Sequence, residues 1–175
     1  MVKVAVRAAA AATAVLAAFS VLAGVWRSAE AAIVVTALRT FGVGDVDRFA
    51  DQIVARSDAG PMFLADIGPL CSSAGVVLIL GMLAVSTTRG EPRMRVRAFA
   101  RGALTVVGCN LARIAMTVAI GVWRGPVALE HFHDGLATAF AVVFLVASFG
   151  VFVQSLPVSE RRAVPAPVPL RRVPR

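Results

Sequence analysis

The sequence predicts an all-α integral membrane protein of about four transmembrane helices, with a small extracellular segment, read as a β-hairpin, before the second span. Three observations carry that expectation. Hydrophobic residues make up 58% of the 175-residue chain and charged residues only 16%, with a mean hydropathy of +0.80. That is more apolar surface than a soluble domain of this size can bury. Four stretches are free of charge, or nearly so, over the roughly 20 residues that a bilayer crossing requires. The basic residues, which give a formal net charge of +8, stand in short blocks beside the apolar runs. A basic stripe for nucleic acid would look different, so the expected partner of these residues is membrane lipid and no nucleic acid.

Residues 1–175 read as a single membrane domain with spans at about 8–26, 68–88, 102–123 and 135–156. The first lies between Arg7 and Arg27. Lys3 and Arg7 before an Ala-rich run, with Ala29-Glu30-Ala31 after it, also suit a cleavable signal peptide, although the apolar run is longer than a usual signal core. In the external segment 27–67, Ala31 to Leu38 is apolar but too short to cross. It either lies along the interface or extends the first helix. Phe49 to Val54 and Met62 to Ile67 flank the turn-forming Asp58-Ala59-Gly60-Pro61, hence the hairpin. The third span is interrupted only by Arg113, and the fourth ends near Pro157. The tail 157–175 combines five prolines with five arginines and reads as an extended, disordered cytoplasmic segment facing anionic lipid.

Charge placement sets the expected orientation at the cell membrane. With both termini and the loop from Arg89 to Arg101 in the cytoplasm, twelve basic residues lie inside and five outside, the latter against eight acidic ones. The positive-inside rule favours this arrangement over its inverse.

Few polar residues remain that could carry chemistry. A guanidinium within a span costs about 2.5–3.5 kcal/mol on insertion scales, so Arg113 should face a partner or a wet cavity. Asn110, three residues earlier, shares its helical face. Cys71 opens the second span among small residues, where a helix N-terminus and a nearby cation favour the nucleophilic thiolate. Cys109 lies deeper, and two cysteines give no disulfide framework. His131 and His133 precede the fourth span, and either can serve as general acid or base. His131-Phe132-His133 with Glu130 and Asp134 lacks a third strong ligand type, so no metal and no cofactor are expected. A cysteine, an Asn-x-x-Arg and a histidine on consecutive spans form the constellation of a cysteine acyl-transfer site. One difficulty is depth. Arg113 lies about ten residues into its span, or roughly 15 Å below the outer surface at 1.5 Å per residue, and Cys71 should sit higher.

In these motifs the chain resembles the exosortase/archaeosortase family of membrane cysteine transpeptidases. The resemblance rests on Cys71-Ser72-Ser73-Ala74, Asn110-Leu111-Ala112-Arg113-Ile114 and Phe132-His133-Asp134, in that order, and covers roughly Phe49 to Gly150. Ser73 stands where the family often has glycine, and many members have more spans. The resemblance implies a peptidase or transpeptidase, its active site at the outer face, acting on secreted proteins that end in a short motif, a hydrophobic helix and a basic tail. Cys71 would form a thioester and Arg113 would bind substrate or stabilise the oxyanion. His133, with His131 as the alternate, would move the proton before transfer to a cell-surface acceptor. Asn110, Ser72 and Asp134 would support them. Two rival functions stay open on the sequence: an inactive relative acting as a membrane assembly or binding protein, and a small transporter subunit whose Arg113 contacts an anion.

Overall fold

A computed structural model describes residues 2–58, 60–87 and 91–156, with the side chains of the first helix described from Phe19 onward. The proline- and arginine-rich tail therefore lies outside the described residues. The chain is mainly helical, and three of its helices are long and apolar enough to cross a membrane: Phe19–Thr40, Pro92–Arg124 and Pro126–Gln154.

The first helix, α1 (Val2–Thr40), runs far past the expected end of its span. Ala31 to Leu38 extends it and turns Ala31, Val34, Val35 and Leu38 into the core. Nothing between residues 2 and 40 breaks the helix; Gly42 does. At φ +71° it ends α1 with Val43 N–H donating to Leu38 O at 2.9 Å and Gly42 N–H to Arg39 O at 3.1 Å, the paired bonds of a Schellman motif.

The segment expected to be external holds three strands, one more than expected. β1 (Val46–Phe49), β2 (Gln52–Arg56) and β3 (Met62–Asp66) form an antiparallel meander with Phe49 opposite Gln52 and Arg56 opposite Met62. The expected strand from Phe49 to Val54 is interrupted by a tight turn at Ala50 and Asp51, where Ala50 takes φ +55°. Alternation in β2 sends Ile53 and Ala55 into the core, packed with α1 and the C-terminal turns of α3.

The expected second span is a helix of only 13 residues, α2 (Ala74–Ser86). At 1.5 Å per residue it covers about 20 Å, short of a hydrocarbon core of about 30 Å. The residues before it, Gly68 to Ser73, are a turn, with Cys71 N–H donating to Gly68 O at 2.9 Å. By contrast α3 (Pro92–Arg124) is 33 residues long, so much of the expected cytoplasmic loop is its first turns. Glu91 and Pro92 set its start, and Gly125 at φ +88° ends it. Pro126 then opens α4 (Pro126–Phe132), which passes through a π-helical turn, His133–Ala137, into α5 (Thr138–Gln154). The fourth helical passage thus begins nine residues before Gly135.

Two apolar cores follow. One joins α1, the sheet and the second half of α3, from Ala31 and Ile53 to Val118 and Val122. The other joins α2, the first half of α3 and the end of α5 through Leu80, Ala98, Val106 and Phe152. α1 and α3 run the same way, since Glu30 meets Asn110 and Gly44 approaches Val122. α2 and α5 run the opposite way, both meeting α3 at Gly102.

Candidate functional site

Cys71, Asn110, Arg113 and His133 meet at one place, between the two cores. Cys71 Sγ lies 3.3 Å from His133 Nε2. Arg113 Nη2 donates to the Cys71 carbonyl at 2.8 Å, and Asn110 Nδ2 donates to the same oxygen at 2.9 Å. The expected difference in depth between Cys71 and Arg113 is therefore absent. Because α2 starts only at Ala74, the turn before it sits beside α3 at the level of Asn110 instead of capping the bundle.

Arg113 is 5% exposed. Its Nε and Nη2 donate to Asn110 Oδ1 at 3.2 and 3.0 Å, the two-pronged contact for which a planar guanidinium is suited. Asn110 then turns its amide nitrogen to Glu30 Oε1, 3.1 Å away. A buried cation and a buried carboxyl group are thus connected through one amide.

Glu30 and Trp26 are the functional residues that sequence reasoning missed. Glu30, 2% exposed, accepts from Ser73 N–H at 3.0 Å, from Ser73 Oγ at 2.7 Å and from Asn110. Its Oε2 has no partner among the described residues. Trp26 Nε1 donates to Ser73 Oγ at 3.0 Å. Trp26 and Glu30 are four residues apart, so one face of α1 grips the turn that carries Cys71. The only sequence signal was an acid three residues after Arg27 and just before the apolar run from Ala31 to Leu38, and Ala29-Glu30-Ala31 drew it into the signal-peptide reading. Ser73 supplies the hydroxyl that α1 holds.

The remaining residues fall into distinct places. Ser72 Oγ accepts from Ala74 N–H at 3.2 Å and so helps start α2. Asp134 Oδ1 lies 3.2 Å from His133 Nδ1, with its side chain 84% exposed. His131 is exposed and is not part of the contact with Cys71, so the geometry separates the two histidines. His133 begins the π-helical turn, and Thr138 Oγ1 donates to its carbonyl at 2.9 Å. Such a turn inserts one extra residue and rotates the side chains that follow, and it recurs at functional sites. Cys109 lies on α3 one residue before Asn110 and lines none of the cavities at the site.

A half-open cavity of about 270 Å³ borders Cys71, Arg113 and His133 and reaches Asp66, Thr117 and Glu130. A second, of about 230 Å³, lies on the other side of the cysteine turn between α2, α3 and α5, and shares Arg113. The arrangement can move a proton between thiol and imidazole and present a guanidinium to an adjacent carbonyl.

Fold and site together define a mainly helical chain with the apolar helices of a membrane protein and a Cys–His pair backed by arginine. No family model matches the chain, no curated protein matches it, and no solved structure matches it.

Proposed function

We propose that the chain is an exosortase-like membrane cysteine transpeptidase, and the 3.3 Å contact between Cys71 Sγ and His133 Nε2 is the observation that carries this reading. His133 takes the Cys71 proton as the thiolate attacks a peptide carbonyl, forming a carbon–sulfur bond and an oxyanion. Arg113 stands beside the nucleophile and lines the cavity, where it stabilises that oxyanion. Collapse breaks the carbon–nitrogen bond, and His133 returns its proton to the departing amine. An acceptor nucleophile at the cell surface then gives its proton to His133, attacks the thioester and frees the thiol. The substrate is a secreted protein with a C-terminal motif, a hydrophobic helix and a basic tail.

This reading places the N-terminus and C-terminus in the cytoplasm and the site at the outer face. The helix directions agree with both termini lying on one side, since the start of α3 and the ends of α2 and α5 gather at the end opposite the sheet, and the charge distribution is what assigns that side to the cytoplasm. Reporter fusions after Arg39 and Arg124 should read external, and fusions after Arg97 and at Arg175 cytoplasmic.

The direct test compares the C-termini of secreted proteins, by mass spectrometry, in cells carrying the natural chain and the Cys71→Ala variant. At least one protein with a helix and basic tail should stay uncut in the variant. Identical C-termini in both would remove the proposal.

A further inference from the structure

The strand nearest the cysteine has an open side. β3 lies at the edge of the sheet, with only β2 as its neighbour. Ile67 N–H donates to Asp51 O at 3.2 Å, and Ser57 N–H to Pro61 O at 3.4 Å. These bonds mark the two ends of the β2–β3 ladder. Hydrogen-bonded and non-hydrogen-bonded pairs alternate in an antiparallel pair. With Ala65 opposite Ile53 and Phe63 opposite Ala55, the bonded residues of β3 are therefore Phe63 and Ala65. Met62, Leu64 and Asp66 turn their N–H and C=O groups away from β2.

That open edge leads into the site. Phe63 and Ala65 pack on the core, while Leu64, Ala65, Asp66 and Ile67 line the cavity that Cys71, Arg113 and His133 also line. Across the cavity stand Leu129 and Glu130. Soluble and secreted proteins commonly blunt an exposed edge with lysine, proline or a bulge. From Met62 to Ala65 there is no charge and no proline, and the pairing with β2 runs without a bulge.

We infer that the outer edge of β3 is a docking strand for an extended polypeptide, which adds as a fourth strand and delivers its backbone to Cys71. Alternate N–H and C=O groups of Met62, Leu64 and Asp66 supply the bonds, as in other strand-addition modes of recognition. A strand added there lies about 4.8 Å from β3, on the side where the cavity is. Recognition by main chain makes few demands on side chains beyond those that enter the cavity. Why a peptide is bound rests on the transpeptidase reading above, but its binding can be measured without any chemistry.

The probe is an acetylated hexapeptide of alternating threonine and valine that carries one benzophenone-alanine. It is photo-crosslinked to the full chain in phospholipid nanodiscs, in the Cys71→Ala form so that no acyl transfer contributes. Saturable labelling should map to residues 62–66. The same peptide N-methylated at alternate residues should label at least tenfold less, because it cannot form the ladder. Leu64→Pro removes an outward N–H and none of the bonds to β2, so it should lower labelling at least tenfold while leaving the thermal midpoint nearly unchanged. Should Leu64→Pro fail to fold, the N-methylated peptide still decides. Equal labelling by the two peptides, or labelling away from β3, overturns the inference. So does a disulfide between two copies bearing Leu64→Cys in a background lacking Cys71 and Cys109, if the peptide does not compete with it, since the edge would then serve self-association. No labelling of a chain with the natural β3, or Cys71-dependent processing left intact by Leu64→Pro, would sink the docking strand and leave the proposed function standing.

Discussion

The two halves of this molecule are held together by different means. At the sheet end, an apolar core is joined to a buried polar chain that runs from Trp26 through Ser73, Glu30 and Asn110 to Arg113 and the Cys71 carbonyl. At the other end, Leu80, Ala98, Val106 and Phe152 meet around Gly102. There the polar contact between α2 and α3 is Arg95 Nη1 donating to Thr87 O. In lipid, apolar surface gains little by leaving its solvent, so close packing at small residues supplies helix association. A polar chain is different: each member left without a partner in a dry site costs about 1–3 kcal/mol. The far half is thus a footing made by shape, and the near half is a geometry made by hydrogen bonds. That contrast teaches where substitution should harm function and where it should harm only stability.

The largest break is chemical. Cys71→Ala should reduce processing to background while protein abundance holds, because a small side chain at a turn contributes little packing; Cys109→Ala should be almost silent. His133→Ala should lower the processing rate by about 10²-fold or more, the usual contribution of a positioned acid–base group, whereas His131→Ala should keep most activity. The opposite ranking would transfer the role to His131. Arg113→Lys keeps a charge but cannot reproduce the two bonds to Asn110 Oδ1, so processing should fall by about 10²-fold. Equal rates would show that a positive charge is sufficient there.

Stability then separates the halves more finely. Glu30→Ala takes the acceptor from the Ser73 N–H, the Ser73 O–H and one N–H of the Asn110 amide, and should lower unfolding free energy by about 3 kcal/mol or more. Calorimetry of the chain in detergent would measure this, and Glu30→Gln, which keeps an acceptor oxygen, should lose less than half as much. Gly102→Ala would set a Cβ 3.1 Å from Phe152 Cβ and 3.3 Å from Ser148 O. It should cost about 1–3 kcal/mol by overpacking and leave the rate of Cys71 alkylation unchanged. An alkylation rate that follows Gly102→Ala would mean the two halves are mechanically coupled. The smallest change is at the β1–β2 turn. Ala50→Gly relieves a left-handed backbone at φ +55° and should alter stability by no more than about 1 kcal/mol.

The residues that sequence reasoning found were those whose chemistry contradicts their surroundings. A lone arginine in an apolar run and a cysteine among small residues at a helix start need no fold to be noticed, and turn residues at positions 58–61 marked the hairpin before β3. Glu30 escaped because an acid after a first span is ordinary in a loop and becomes unusual only once α1 is seen to continue through it. The third strand escaped because β1 is four residues long, too short for an alternation to register.

By itself the sequence determined where the apolar runs lie and which candidate reactive groups the chain offers, since both depend on composition and local spacing. Tertiary structure alone decided that α2 begins late, which lowers Cys71 to the level of Arg113, and that His133 instead of His131 meets it across 62 positions of chain. It alone brought Glu30 to Asn110 across 80 positions. The physical reason is that helical periodicity fixes the face on which a side chain lies but leaves open the height at which two helices pack. That height is set by where each helix starts and by which small and polar groups fit against one another, and it is a property of the assembled bundle.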